Sequence, residues 1–236
     1  CATGTTRGWY LDDCPARGYI NGYDRRSNSW FRGREETWQW FMAREYVCGG
    51  YQWAGIEHRG ETTWPRLCSQ SGAIDLYLNR KDAFWQNQSH WTEKPMVHIL
   101  PHWNLSGREG EPVRVSVYTN CDSVELFQDG RSMGVQAVEP FGHVEWRLIY
   151  NPGSVRAVGY KDGEPAAEET VETTGRAVAL RLKLERDNVR ADGQDVAIIT
   201  CDCVDSEGRH VPDAAPFVRF NTNGLGYVAG TGSDVS

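Results

Sequence analysis

The sequence predicts a multi-domain chain in which an α/β segment precedes antiparallel β-sandwich domains. Nine of the ten tryptophans lie at or before Trp103, so the two halves differ in composition. Apolar residues recur at helical spacing up to about residue 94 and alternate in short stretches beyond it. Turn signals at intervals of about 8–12 residues in the second half are typical of a β-sandwich.

Composition excludes several classes of function. The 236 residues carry a formal net charge of −7 with a pI near 5.4, so phosphate backbones and anionic membranes are repelled. Mean hydropathy is −0.58, and no apolar run reaches the roughly 18 residues of a membrane span. We therefore expect no nucleic-acid partner and no membrane partner. The seven cysteines show neither zinc nor redox spacing, so we expect no metal or cofactor; they favour a reducing, cytoplasmic compartment over the periplasm.

Residues 1–94 predict part of a parallel α/β architecture. Apolar spacing indicates a helix over 34–45, and the glycine-bounded run 47–54 predicts a buried strand. Asn79 is a candidate cap for a second helix over 80–91. One helix, one strand and another helix do not complete a domain, so we expect this part to continue on its N-terminal side.

Residues 95–175 predict a first β-sandwich and residues 176–236 a second one. Asp129-Gly130 is a tight hairpin signal. Alternating apolar residues predict the following strands: 113–117, 124–128, 132–137, 144–150, 154–160, 166–173, 178–184, 196–204 and 218–221. A seven-stranded sandwich takes roughly 100 residues, so the second one is expected to be incomplete.

Several stretches resemble glycoside hydrolase family 2, the β-galactosidase and β-glucuronidase family. Residues 49–61 (GGYQWAGIEHRGE) resemble its eighth barrel strand and following loop. Residues 100–104 (LPHWN) and 124–130 (VELFQDG) resemble its immunoglobulin-like domain, and 191–196 (ADGQDV) the opening of the next module.

This resemblance implies that the chain is truncated at both ends. Residues 1–94 would be the end of a (β/α)8 TIM barrel, residues 95–175 an immunoglobulin-like β-sandwich, and residues 176–236 a second, incomplete immunoglobulin-like domain.

The resemblance also implies the activity. The chain would be a fragment of a retaining exo-β-glycosidase that hydrolyses terminal β-galactosides, and such enzymes need two carboxyl groups about 5–5.5 Å apart. Thr6-Arg7-Gly8 resembles the segment that follows the nucleophile, which places both catalytic glutamates before Cys1. The fragment alone is then expected to be inactive. The alternatives are a β-glucuronidase of the same family, or a non-catalytic carbohydrate-binding or scaffold protein with immunoglobulin-like modules.

The resemblance implies three substrate-binding residues. Trp53 lies near the end of its predicted strand, where its indole can stack on a sugar ring, and Glu57 and His58 can hydrogen-bond sugar hydroxyls. The alternatives are a core tryptophan and solvated loop charges; Arg59 and Glu61 are expected to form a structural ion pair.

Two packing roles complete the sequence-based expectations. The sandwich domains are candidate surfaces for homo-oligomer contacts. The remaining tryptophans of the first half are expected to pack the helices and to form a seam with the first sandwich: Trp30, Trp38, Trp40, Trp85 and Trp91.

Overall fold

Two short helices precede nine strands in the computed structural model, which describes residues 22–24, 32–61, 68–69, 71–224 and 226–232. The helices are α1 (Arg34–Met42) and α2 (Asp82–Trp91). The strands are β1 (Val97–Leu100), β2 (Pro112–Thr119), β3 (Ser123–Gln128), β4 (Arg131–Ala137), β5 (Val144–Ile149), β6 (Ser154–Lys161), β7 (Glu164–Glu172), β8 (Ala179–Leu184) and β9 (Ile199–Val204).

Strands β1 to β7 form a two-sheet sandwich. One sheet has the order β1-β2-β5 and the other β4-β3-β6-β7, and every pairing is antiparallel. Val115 and Val117 of the first sheet share one hydrophobic core with Val124 and Leu126 of the second. All four side chains are completely buried, as their alternation along the strands predicts.

The predicted hairpin at Asp129-Gly130 is confirmed. These two residues join β3 to β4, and Gln128 pairs with Arg131 across the turn. Both have positive φ, 49° for Asp129 and 79° for Gly130, as a two-residue turn between twisted strands requires. Asparagine, aspartate and glycine tolerate this conformation best, which is why the dipeptide was informative.

Some predicted boundaries are wrong. The first helix ends at Met42 instead of residue 45, because the Arg44 N–H bonds to the Phe41 carbonyl and tightens the chain into a turn. The second helix begins at Asp82, since Asn79 is bound to Asp75 in the preceding turn. Residues 218–221 do not form a strand.

The predicted buried strand over residues 47–54 is also wrong in this structure. These residues adopt no strand, and Tyr51 within them is fully exposed. Just beyond them, Ile56 forms one isolated parallel bridge with Ile74. A buried strand needs a hydrogen-bonded neighbour on its edges, and among the described residues none forms a ladder with this segment.

The C-terminal sheet is a two-stranded hairpin with an apolar face. Cys201 of β9 lies opposite Leu182 of β8, and Cys203 lies opposite Leu180, so the two cysteines share a face as predicted. Both are free thiols of intermediate exposure, and the two leucines are about half exposed.

Asn104, in the LPHWN stretch, ties this C-terminal part to the sandwich. Its side-chain nitrogen donates to Thr174 Oγ1 at 2.8 Å and to Asp213 Oδ1 at 3.1 Å, and its oxygen accepts from the Thr174 N–H at 2.9 Å. Trp103 beside it lies in the sandwich core and donates to the Asn151 carbonyl at 3.1 Å. The motif therefore acts as a structural junction.

An aromatic seam joins the helices to the sandwich. Trp38 of α1 stacks on Phe141 at 6.1 Å, and Trp85 of α2 stacks on His98 at 5.1 Å. The predicted seam is thus confirmed for these two tryptophans, whereas Trp30 lies outside the described residues.

Two histidines of the sandwich bind carboxylates across the same seam. His98 Nε2 lies 3.0 Å from Asp82 of α2, and its Nδ1 lies 3.5 Å from Glu169 of β7. His143 Nδ1 pairs with Glu35 of α1, and its Nε2 lies 2.8 Å from Glu145. Each imidazole therefore joins one carboxylate of the helical segment to one of the sandwich.

Candidate functional site

The candidate site lies where residues 54–58 run beside residues 71–74 of the same chain. The Ala54 N–H donates to the Ser71 carbonyl and the Glu57 N–H donates to the Ile74 carbonyl, both at 2.9 Å. These bonds hold residues 54–58 against residues 71–74. Trp53, Glu57 and His58 are consequently brought together by a local backbone framework.

Trp53 lies at the surface of this framework. Its side chain is 54% exposed, and its ring meets His58 edge to face at 5.3 Å. The peptide bond between Trp53 and Ala54 is cis. Trp53 is therefore not a core tryptophan in the described structure, and its exposed indole can stack on an apolar surface such as a sugar face.

Glu57 points inward and forms an ion pair with Lys81. The lysine ammonium donates to Oε1, and the Cys68 thiol donates to Oε2 at 3.4 Å. Only 4% of the Lys81 side chain and 11% of the Glu57 side chain are exposed. Burial lowers the pKa of Lys81, an effect that Glu57 opposes. Burial, together with the nearby Glu57 carboxylate, raises the pKa of Cys68 to about 11, so its thiol stays protonated at neutral pH.

His58 is oriented by Ser69. Its Nδ1 lies 3.1 Å from Ser69 Oγ, and the Ser69 N–H donates to the His58 carbonyl at 2.9 Å. Its Nε2 is buried and lies 3.4 Å from Glu61 Oε2, and it makes no hydrogen bond within the described part of the chain. Glu61 thus faces His58, and the predicted ion pair between Arg59 and Glu61 is not formed.

An aromatic groove of about 590 Å³ lies beside this loop, between α1, residues 50–55 and α2. Its aromatic walls are Trp38, Phe41, Tyr51, Phe84 and Trp91.

The lining of the groove also contains a polar group formed by Arg34, Gln52 and Asn87. With the Gln52 amide oxygen facing Arg34, that oxygen accepts from the guanidinium at 2.6 and 2.8 Å. Burial lowers the pKa of Arg34, although Asp24 opposes that shift. Sequence reasoning identified neither Arg34 nor Lys81, since their partners lie far along the chain and leave no local pattern.

The described residues contain no group of three or more histidine, cysteine, aspartate or glutamate side chains arranged to hold a metal ion. They also contain no helix of sufficient length and hydropathy to cross a bilayer. The segment that set the predicted position of the nucleophile, Thr6-Arg7-Gly8, lies outside them.

Two family models match the chain, both C-terminal to the helical segment. Residues 180–236 match the glycoside hydrolase family 2 C-terminal domain 5. Residues 110–167, within the sandwich, match a domain of unknown function (DUF4982).

Relatives and solved structures match over most of the chain. A β-galactosidase of Bacteroides ovatus is 34% identical over 215 residues, which are 89% of this chain and 25% of the relative. A putative β-glucuronidase of Formosa agariphila is 30% identical over 196 residues, 79% of this chain and 19% of the relative. The crystal structure of a β-glycosidase from Bacteroides vulgatus superposes with a TM-score of 0.81 at 29% identity, covering 90% of this chain and 31% of that one.

The chain thus spans about a quarter of the length of the curated relatives it matches. The C-terminal match, the relatives and the shared fold agree with the resemblance carried by residues 49–61 and 100–104. By this evidence, the chain belongs to glycoside hydrolase family 2.

Proposed function

We propose that this chain is part of a retaining exo-β-glycosidase that hydrolyses terminal β-galactosides. The observation that carries the proposal is the 34% identity to a β-galactosidase over 89% of the chain. Because the chain spans about a quarter of that relative, the catalytic pair of glutamates is assigned to polypeptide outside these 236 residues. The chain itself supplies one wall of the sugar site and the domains that support it.

The proposed architecture keeps the three expected parts. Residues 1–94 form the end of a (β/α)8 barrel, residues 95–175 an immunoglobulin-like sandwich, and residues 176–236 a second immunoglobulin-like domain. The order of α1, the apolar segment 47–54 and α2 supports the barrel assignment, because barrel strands alternate with helices and the apolar run 47–54 is typical of a strand. The exposed aromatic groove supports it too, since neighbouring barrel elements would cover such a surface.

In this proposal Trp53 binds the terminal sugar and His58 positions it. Trp53 stacks on the apolar face of the pyranose and excludes water, and the His58 ring, whose Nε2 is buried, holds the indole edge to face at 5.3 Å. Glu57 is a positioning residue, because Lys81 and Cys68 already engage its two oxygens. The glutamate pair would carry the chemistry: one protonates the leaving oxygen, and the other forms the glycosyl-enzyme that water then cleaves.

A β-glucuronidase is the second candidate, favoured by the 30% identity to a putative β-glucuronidase. A glucuronide carries a carboxylate that needs a cationic or amide partner in the site. Glu57 neutralises the buried Lys81, and the buried Arg34 guanidinium donates to the Gln52 amide oxygen. This arrangement favours a neutral sugar over a uronic acid.

The test is hydrolysis by the full polypeptide that the gene encodes. We expect nitrophenyl β-galactoside to be cleaved with a kcat/KM at least about tenfold above that for nitrophenyl β-glucuronide, a difference of roughly 1.4 kcal/mol. The reverse order would establish the glucuronidase instead. Saturable binding of galactosides without hydrolysis would support the non-catalytic carbohydrate-binding alternative and overturn the proposal.

A matched pair of tryptophan variants tests the role of Trp53. Trp53→Ala should lower kcat/KM by up to about tenfold through loss of stacking, the upper end of a contribution of roughly 0.5–1.5 kcal/mol. Trp40→Ala is the control, because Trp40 is similarly exposed but lies on α1 against Arg44. Equal effects of the two variants would contradict a substrate contact at Trp53.

Homo-oligomer formation through the sandwich domains stays a prediction. Sedimentation velocity of the full polypeptide checks it.

A further inference from the structure

The C-terminal segment 226–232 reaches the loop that follows the candidate site. Gly232 lies directly against the Tyr77 ring: a Cβ at residue 232 would overlap Cζ and Oη of that tyrosine. A larger residue at this position must therefore push the ring aside. The contact joins the most C-terminal described residue to the helical segment.

Tyr77 lies at the same end of the framework as His58. Ile56 and Ile74 pair in parallel, so the chain leaves both residues in one direction, toward His58 on one side and Tyr77 on the other. Asp75 fixes the intervening turn. Its Oδ1 accepts from the Tyr77 N–H at 2.8 Å and the Asn79 N–H at 2.7 Å.

The surface at this contact has the composition of a sugar-binding rim. Tyr77 is 48% exposed and Tyr227 is 82% exposed, which leaves ring surface for stacking. Residues 226–232 (GYVAGTG) carry no charge. Three of them are glycines, whose backbone no side chain covers; the Gly226 carbonyl accepts from Thr222 Oγ1 at 2.9 Å.

We propose that Tyr77 and the segment 226–232 form the outer rim of the sugar site and contact the second sugar of a β-linked oligosaccharide. This inference rests on the proposed function. Trp53, positioned by His58, is assigned the terminal sugar, so the remainder of the substrate must leave the site past the loops at that end. Tyr77 thereby selects for the size of the leaving group, and the C-terminal domain takes part in substrate choice.

The test compares two substrates with the full polypeptide. Methyl β-galactoside has a leaving group too small to reach the rim, whereas a β-galactosyl disaccharide reaches it; released galactose measures both reactions. Tyr77→Ala should lower kcat/KM for the disaccharide about tenfold, because one stacking contact is lost. It should change kcat/KM for the methyl glycoside by less than about twofold. Tyr77→Phe keeps the ring and should retain the disaccharide rate.

Two further variants sharpen the test. Gly232→Val pushes the Tyr77 ring out of its position. It should lower kcat/KM for the disaccharide and leave that for the methyl glycoside unchanged. Tyr46→Ala is the matched control, because this tyrosine is 81% exposed and lies outside residues 53–58, 71–77 and 226–232, which form the proposed site and its rim. It should change neither rate.

The contrary outcomes are distinct. Equal effects of Gly232→Val on both substrates, or none on either, would overturn the rim while leaving the glycosidase intact. Failure of the unmodified protein to hydrolyse either substrate would overturn the proposed function, and the rim with it.

Discussion

The sandwich of β1–β7 and the helical segment of residues 32–94 are held together by different interactions. In the sandwich, the side chains of Val115 and Leu126 are completely buried, along with most of the inward-facing residues of both sheets. In the helical segment, most of the buried side chains are polar or charged, whereas Tyr51 and Trp91 are exposed. The sandwich is therefore stabilised by its own apolar core, whereas the helical segment buries mostly polar groups and depends on its neighbours.

The sandwich and the helical segment therefore differ in stability. Removal of apolar surface from water contributes roughly 25 cal/mol per Å², whereas a buried ion pair such as Lys81 with Glu57 gives little net stability after desolvation. The sandwich should thus unfold as a cooperative unit of its own. The helical segment should depend on the seam that Trp38, Trp85 and the two histidines form with the sandwich.

The largest expected effect is in the sandwich core, at Trp103. The side chain is 1% exposed, packs edge to face on Tyr150 at 5.1 Å and donates to the Asn151 carbonyl. Trp103→Ala should lower the free energy of unfolding by about 3–5 kcal/mol, measured by urea denaturation. Trp91→Ala, at a side chain 63% exposed, should lower it by less than about 1 kcal/mol. Similar losses for both variants would contradict the division between the two regions.

The next effect concerns pH and the seam. Burial by itself lowers the pKa of His98, but hydrogen bonds to Asp82 and Glu169 outweigh it and raise the pKa to about 9. The unfolded histidine titrates near 6.5, so the stabilisation by the imidazolium is complete below that pH and is lost as pH rises through about 9. His98→Gln should therefore remove a pH-dependent stabilisation on the order of 3 kcal/mol at most near pH 6, which vanishes above about pH 10; loss of the stacking on Trp85 adds a part that does not vary with pH.

His102 provides the control for this pH profile. Burial lowers its pKa to about 4, so the folded protein keeps this ring neutral where the unfolded chain would protonate it. The free energy of unfolding therefore falls as pH drops from 6.5 toward 4. His102→Gln should flatten the acid side of the stability profile and leave the alkaline side unchanged. If the loss of stability at alkaline pH persists in His98→Gln, another group causes it. His143 is the first to test, because its pKa is also raised to about 9.

The strands were the most predictable part of the fold. Alternation of Val113, Val115 and Val117 is a local signal, and it reports burial directly when each strand has one core face. Residues 47–54 carry an equally apolar run, yet the run does not specify its hydrogen-bonding neighbours, and the strand is not formed. Composition of a segment alone cannot supply its partners.

The site was predictable only in part. Residues 53–58 were found through resemblance, and the exposed indole of Trp53 agrees with a surface role. The partners of these residues were not found, because Lys81 lies 24 positions from Glu57 and has no periodic relation to it. The ion pairs of the seam could not be predicted either, because Glu35 and His143 are separated by 108 positions.

The smallest expected effect on stability is at Trp53, and it separates fold from function most sharply. The side chain is 54% exposed, and its ring contact is with His58, so Trp53→Ala should lower the free energy of unfolding by at most about 1 kcal/mol. Urea denaturation of the same sample used for hydrolysis measures it. A loss comparable to that at Trp103 would make Trp53 a packing residue. A small loss of stability together with a tenfold loss of kcat/KM would mean that the indole serves sugar binding and not packing. The helical segment, which has no apolar core of its own, would then carry an exposed tryptophan because the site requires it.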